Sequence, residues 1–375
     1  MMITTRAMND NERMDWLRLI RSENIGPITF YKLLERFGTA ENALRQAPEL
    51  AKRAGAKKPI IIATREVAEK EISALEKCGG YMVAACEADY PAHLRAVEDA
   101  PPILSVKGQR SALNGRRMVA MVGSRNASLN GRQFAERIAR DCGQADMMVV
   151  SGLARGIDTA AHQGALKTGT IAVVAGGIDV IYPEENAKLY DAICEKGAII
   201  AESQFGVPPT NRHFPKRNRI ISGVSEGVLV IEAVEHSGSL ITARMALEQG
   251  REVMAVPGSP LDPRSKGNNN LLRQGAILVE NVQDIMGGLS KLPNHTLSEP
   301  LASFSERNES LSEDDIAQAR SKILETLGPV QVRIDDLIRD VNLPASIVLA
   351  ALLELELAGK AARSPGQFVA LIDAS

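Results

Sequence analysis

The chain has 375 residues, 45% of them apolar and 3% aromatic, and carries 44 Lys and Arg against 46 Asp and Glu for a formal net charge of −2. That length suits two or three domains with a large core, and the near-neutral balance excludes a cationic field spread over the whole molecule. Cys78, Cys86, Cys142 and Cys194 form no Cys-x-x-Cys pair, and there is no secretory leader and no run of about 18 apolar residues, so a cytoplasmic protein without a membrane span, disulfide framework or metal site is expected.

Residues 1–80 read as helical. Trp16, Leu17, Leu19 and Ile20 begin an apolar stripe, Ile25-Gly26-Pro27 breaks it, and Phe30, Leu33, Leu34 and Phe37 resume it. The pattern resembles a helix-hairpin-helix or SAM-like module, whose hairpin can offer backbone amides to phosphate; a small packing domain is the alternative. From Arg117 onward, apolar runs begin at Met118, Met147, Thr170, Ala198, Gly227, Glu252 and Ala276, with helical patterns between them. Buried strands alternating with helices predict a doubly wound, mostly parallel α/β sheet over residues 81–287. Residues 288–312, rich in Ser, Asn, Glu and Pro, read as a linker. Residues 313–375 give three helical stripes, Ile316 to Leu327, Ile334 to Val341 and Ala345 to Leu357, then two strand-like pieces joined through Pro365-Gly366, which is a winged-helix pattern.

Charge follows these segments. Residues 101–287 hold 21 cations against 18 acids, whereas 288–375 hold 8 against 13. A polyanion site therefore belongs in the middle segment, where Lys216, Arg217 and Arg219 follow Phe214 and no acid lies between Glu202 and Glu226. Cations beside an aromatic ring suit single-stranded nucleic acid; a solvated helix face is the bland reading. Several predicted strands end in glycine loops that lead into helices: Gly123-Ser124-Arg125, Gly152 to Gly156 with Arg155, Gly176-Gly177 and Pro257-Gly258. Such loops either admit phosphate to the backbone or simply make tight turns. Ser239 and Thr242 stand at a helix start, as anion ligands or caps. No Gly-x-x-x-x-Gly-Lys-Ser/Thr or Gly-x-Gly-x-x-Gly motif supports ATP or dinucleotide chemistry. Asp158 and His162 share a helix face and are read as structural, because no nucleophile or second acid accompanies them.

The segments SGLARGIDTAAHQGAL, GGIDVIYPEEN, FPKRNRIISGVS, VIEAVEHSGSLITARMALEQGREVMAVPG and KGNNNLLRQGA, in this order, closely resemble the DNA-processing protein A family (DprA/Smf) over about residues 80–285. The resemblance implies an extended Rossmann-like fold and a dimer without catalytic residues or cofactor. It also implies a protein that binds single-stranded DNA and loads the recombinase RecA onto it in natural transformation. By position it implies DNA contacts from Gly123, Ser124, Arg125, Gly152, Arg155, Gly156, Phe214, Lys216, Arg217, Asn218, Arg219, Ser239 and Thr242, with Phe214 stacking a base or anchoring the cations. Two alternatives are a nucleotide phosphoribohydrolase, whose Pro-Gly-Gly-x-Gly-Thr loop is missing here, and a winged-helix transcriptional regulator. The helix Ala345 to Leu357 contains Glu354 and Glu356 and no cation, so the C-terminal domain is expected to bind protein, either a partner or the central domain, rather than DNA.

Overall fold

The structure, a computed structural model, describes residues 5–290 and 312–372. Residues 291–311, which make up most of the expected linker and include His295, lie outside the described residues. The chain divides into two compact units: residues 8–69 together with the segment from 312, and residues 5–7 together with 70–290.

Three helices open the first unit, α1 (Asp10–Arg21), α2 (Pro27–Phe37) and α3 (Ala40–Arg53). Each begins on a local signal. The Asn9 side chain accepts the Glu12 N–H at 2.8 Å, Pro27 occupies the first turn of α2, and Thr39 accepts the Asn42 N–H at 3.2 Å. The expected stripes face inward: Trp16, Leu17, Leu19, Phe30, Leu33 and Leu34 are buried, and the Trp16 and Phe30 rings meet edge-on at 5.0 Å. Helix α4 (Arg65–Lys77) follows.

In the second unit, nine strands among the described residues form one sheet: β1 (Gly80–Ala84), β2 (Ile103–Gly108), β3 (Arg117–Val122), β4 (Met147–Ser151), β5 (Thr170–Val174), β6 (Ala198–Ala201), β7 (Gly227–Val230), β8 (Glu252–Ala255) and β9 (Ile277–Leu278). The helices along this stretch are α5 (Ala92–Arg95), α6 (Leu129–Gln144), α7 (Ile157–Ala165), α8 (Ala187–Lys196), α9 (His213–Val224), α10 (Gly238–Glu248), α11 (Lys266–Arg273) and α12 (Val282–Ser290). The strand order is β1-β2-β6-β5-β4-β3-β7-β8-β9, and every pairing from β6 through β9 is parallel. Within it, β5-β4-β3-β7-β8-β9 is the order of a dinucleotide-binding sheet, reversing direction between β3 and β7. The seven runs read from sequence all form strands. The antiparallel β1 and β2, Gly80 opposite Lys107 and Ser105 opposite Ala201, were not expected, because runs this short carry no periodicity of their own. Helices α6, α7, α8 and α12 pack on one face, and α9 packs with α10 and α5 on the other. Val119, Met121, Ile138, Val149, Ile157 and Leu229 are among the residues that fill the core beneath the first face.

The C-terminal segment folds as α13 (Glu313–Thr326), β10 (Val332–Arg333), α14 (Ile334–Val341), α15 (Ala345–Leu357), β11 (Ala361–Ser364) and β12 (Phe368–Leu371), with the strands in the order β10-β12-β11. This is the expected winged helix, with α15 in the DNA-reading position. Within the unit α15 lies against α2 and α3, so the neighbour of this domain there is the N-terminal helical segment.

Candidate nucleic-acid interface

In a doubly wound sheet the loops beyond the carboxyl ends of the strands form the binding edge. Here the loops after β3, β4 and β5 surround a cleft of about 630 Å³. Arg125, Gly152, Arg155, Phe214 and Arg217 all line it, so five residues spread over 93 positions of sequence converge. Phe214 reaches the cleft because the basic segment is helical and forms the start of α9. The Arg125 guanidinium lies over the Phe214 ring, 5.0 Å from its centre, and the Tyr182 ring stands 5.8 Å from Phe214. Arg125 is exposed and has no carboxylate partner among the described residues. Arg155, also exposed, is paired with Glu185 at 2.8 Å.

The cations of α9 differ sharply from one another. Lys216 is exposed and borders a smaller depression beside the cleft. Arg217 is 6% exposed, and its Nη1 donates to the carbonyls of Gly152 and Val173 (2.5 Å to the latter), tying together the ends of β4 and β5. Burial pulls its pKa down to about 10, against the opposing charge of Asp158. Arg219 is turned away from the cleft, held by Asp99 at 3.3 Å and Glu202 at 2.5 Å. Burial opposes its charge, but those two carboxylates keep its pKa above the ordinary value. Glu202, the nearest acid upstream in sequence, is thus a direct partner of this run in space. Asn218 donates to the Gly238 carbonyl at 3.4 Å, linking α9 to the start of α10. Ser239 and Thr242 are buried there, away from the cleft lining, and the Ser237 hydroxyl accepts the Ser239 N–H, which is the capping alternative.

The glycines answer to the fold itself. A side chain at Gly152 would overlap the Arg217 guanidinium, and one at Gly156, whose φ is +78°, would overlap the Ser124 carbonyl. Gly123 is pressed against the Ile157 side chain, with Ser124 following it. Close packing thus meets a side chain at all three positions, and Gly156 alone also has the positive φ of a tight turn.

Asp158 accepts the N–H groups of Gly152 (3.1 Å) and Ala154 (3.3 Å), fixing the β4 loop, and burial raises its pKa. His162 is fully buried and faces Thr170, 2.9 Å from Nδ1 to Oγ1. The Thr170 hydroxyl donates to Val149, so it accepts from Nδ1–H. Burial, with Arg217 adding to it, pushes the imidazole pKa down to about 3 and keeps it neutral. The two residues thus serve the loop and the core separately.

Sequence reasoning missed Tyr182 and the acidic rim of Glu184 and Glu185, although the segment containing them had been singled out. It also missed Glu232. At the point where the strand order reverses, the Glu232 carboxylate accepts the Ser128 N–H at 2.9 Å and the Ser128 hydroxyl at 2.5 Å, at the N-terminus of α6. In a dinucleotide-binding sheet a pyrophosphate takes that place. Here a carboxylate already neutralises the helix end.

The mostly parallel sheet thus carries a cleft floored by a buried arginine and edged by two rings and by an arginine without a carboxylate partner among the described residues, groups chemically suited to a polyanion bearing planar rings. The family model of DNA recombination-mediator protein A matches residues 81–290, a DprA-like N-terminal HHH domain matches 10–74, and a DprA winged helix domain matches 307–367. Protein Smf of Escherichia coli (strain K12) is 39% identical over 310 residues, 82% of each chain. DNA processing protein A from Streptococcus pneumoniae superposes with a TM-score of 0.62 at 35% identity, over 75% of this chain and 98% of that one. The corresponding protein from Helicobacter pylori, solved to study its single-stranded DNA binding mode, gives 0.52 at 28%, over 56% and 96%. The chain belongs to the DprA/Smf family of DNA-processing proteins. Among the described residues no helix is long and apolar enough to cross a membrane.

Proposed function

We propose that this protein binds single-stranded DNA at the cleft beyond β3, β4 and β5 and hands it to the recombinase RecA during DNA uptake, acting in the cytoplasm as a homodimer and without chemistry of its own. The observation that carries this reading is the convergence of Arg125, Phe214 and Tyr182 over the buried Arg217. Arg125 and Lys216 offer charge to phosphates, and the rings offer faces to unstacked bases. Arg217 acts by holding the β4 and β5 loops in place, and Arg219 by anchoring α9. Gly123, Ser124, Gly152 and Gly156 shape the edge. Arg155 contributes once Glu185 releases it, while Asn218, Ser239 and Thr242 support the neighbouring helix ends. A nucleotide hydrolase is less well supported, because Glu232 fills the usual phosphate position and His162 is buried away from the cleft.

A titration of labelled single strands and duplexes of equal length tests the binding. Tighter single-strand binding, weakening with salt by about 0.7 log units in K per log unit of salt for each phosphate contacted, is expected. Equal affinity for the two would refute it. Light scattering tests the dimer, and RecA filament growth on single strands with and without the protein tests the delivery step.

A further inference from the structure

We propose that α15, the helix in the DNA-reading position of the winged-helix domain, is a protein-docking helix whose partner is the N-terminal helical domain of the same chain. Its composition points away from DNA: Ala, Leu, Ile and Val predominate, with Ser346, Glu354 and Glu356 its polar residues. A helix apolar on every side must be covered on every side. From Ala351 to Leu357 each residue is buried. Ala351, Leu352 and Leu355 belong to the winged domain's own apolar cluster, whereas Leu353 and Leu357 are buried outside it, on a helix that packs against α2 and α3.

The polar contacts follow the same division. Glu354 is held by Arg320 of the winged domain and lies 3.9 Å from Arg36 of α2. Glu356 is held by Arg363 of the wing at 2.9 Å and accepts from the Thr29 hydroxyl of α2 at 3.4 Å. Each carboxylate thus has one partner in its own domain and one in the other. Both are under 5% exposed. Glu356 Oε1 lies beside Arg363 without a hydrogen bond, and burial raises the Glu356 pKa to about 7 against the pull of Arg363 and the Thr29 hydroxyl, so this carboxyl leans on both domains for what stabilisation it has. The element ends interlock as well. The Asn24 side chain, in the hairpin between α1 and α2, donates to the Leu357 carbonyl at the end of α15, at 3.2 Å. Lys360 donates to the Ala54 carbonyl just past α3, at 2.8 Å, and Ala54 itself sits in the winged domain's cluster. Arg53 meets Glu313 at the start of α13. The winged helix has therefore turned its reading helix toward its own chain, and the hairpin that could have offered amides to phosphate is engaged by the end of that helix.

The test uses the full chain. Arg53→Cys with Glu313→Cys, treated with a short bismaleimide at dilute concentration, is expected to join the two positions within one chain, as identified by mass spectrometry of the linked peptides. Hydrogen exchange is expected to find the amides of Ala351 to Leu357 protected without DNA and unchanged when duplex is added. Arg36→Glu, which sets a like charge beside Glu354, is expected to speed their exchange at least tenfold and to lower the linking yield, with the amides of α13 unaffected. Links only between chains, no links at all, or α15 protection that arises only with duplex would each overturn the proposal.

Discussion

The carboxyl edge of the central sheet and the third helix of the winged-helix domain both belong to architectures that carry nucleic acid, but their side chains are in opposite states. At the sheet edge Arg125 and Lys216 are exposed and Arg125 lacks a carboxylate partner among the described residues, while two rings stand beside them. On α15 the ionisable side chains are both carboxylic, Glu354 and Glu356, and each is buried beside an arginine of the same domain. Architecture alone would have ranked the winged helix as the DNA reader. What separates the two regions is charge left without a partner, since neutralising phosphates is the main source of affinity for nucleic acid.

The same distinction divides the arginines of α9, and the largest effects are expected where charge is already committed. Arg219→Ala strands the buried Asp99 and leaves the partly buried Glu202 without its arginine, and should lower unfolding stability by about 3 kcal/mol in denaturant titrations. Arg217→Ala should be similarly costly, because two strand-end carbonyls and Asp158 lose their cation. A loss of DNA affinity with stability unchanged would move either arginine to the ligand side.

Arg125→Ala should do the reverse, weakening single-strand binding by about 1–3 kcal/mol at constant stability. Lys216→Ala should have the smallest effect on binding, about one phosphate contact, read as a salt slope shallower by about 0.7.

A pH titration of stability sharpens the account of the buried helix face. His162 has a folded pKa of about 3, below its unfolded value near 6.5, so its contribution is intact above 6.5 and is lost as pH falls toward 3. That loss should not exceed about 1.4 kcal/mol per pH unit, and His162→Gln should flatten it. An unchanged slope in the variant would assign the acid sensitivity to other groups.

Much of the fold was legible in the sequence. The seven parallel strands announced themselves as continuous apolar runs, and the three C-terminal helices lie within about a turn of their expected bounds, because burial on both faces or along one stripe leaves a periodic trace. The β1–β2 pair left none. The cleft was legible in part. Phe214 and Arg125 could be picked out by type, but whether a cation is spent depends on partners far away in sequence. Arg219 looked free because neither Asp99, 120 residues upstream, nor Glu202, 17 upstream, lies on its own helix, and Arg217 because its acceptors are backbone carbonyls. The glycines were ambiguous for the same reason, since what fills the space beside Gly152 is an arginine 65 positions later.

The most direct test of the central claim is photocrosslinking of the full chain to a single strand carrying 5-iodouracil, with the labelled peptides mapped by mass spectrometry. The account predicts labels in the loops around Arg125, Tyr182 and Phe214, lost in Arg125→Ala, and none in α15 or the wing. Labels concentrated between Ala345 and Ser364, with the cleft unlabelled, would contradict it.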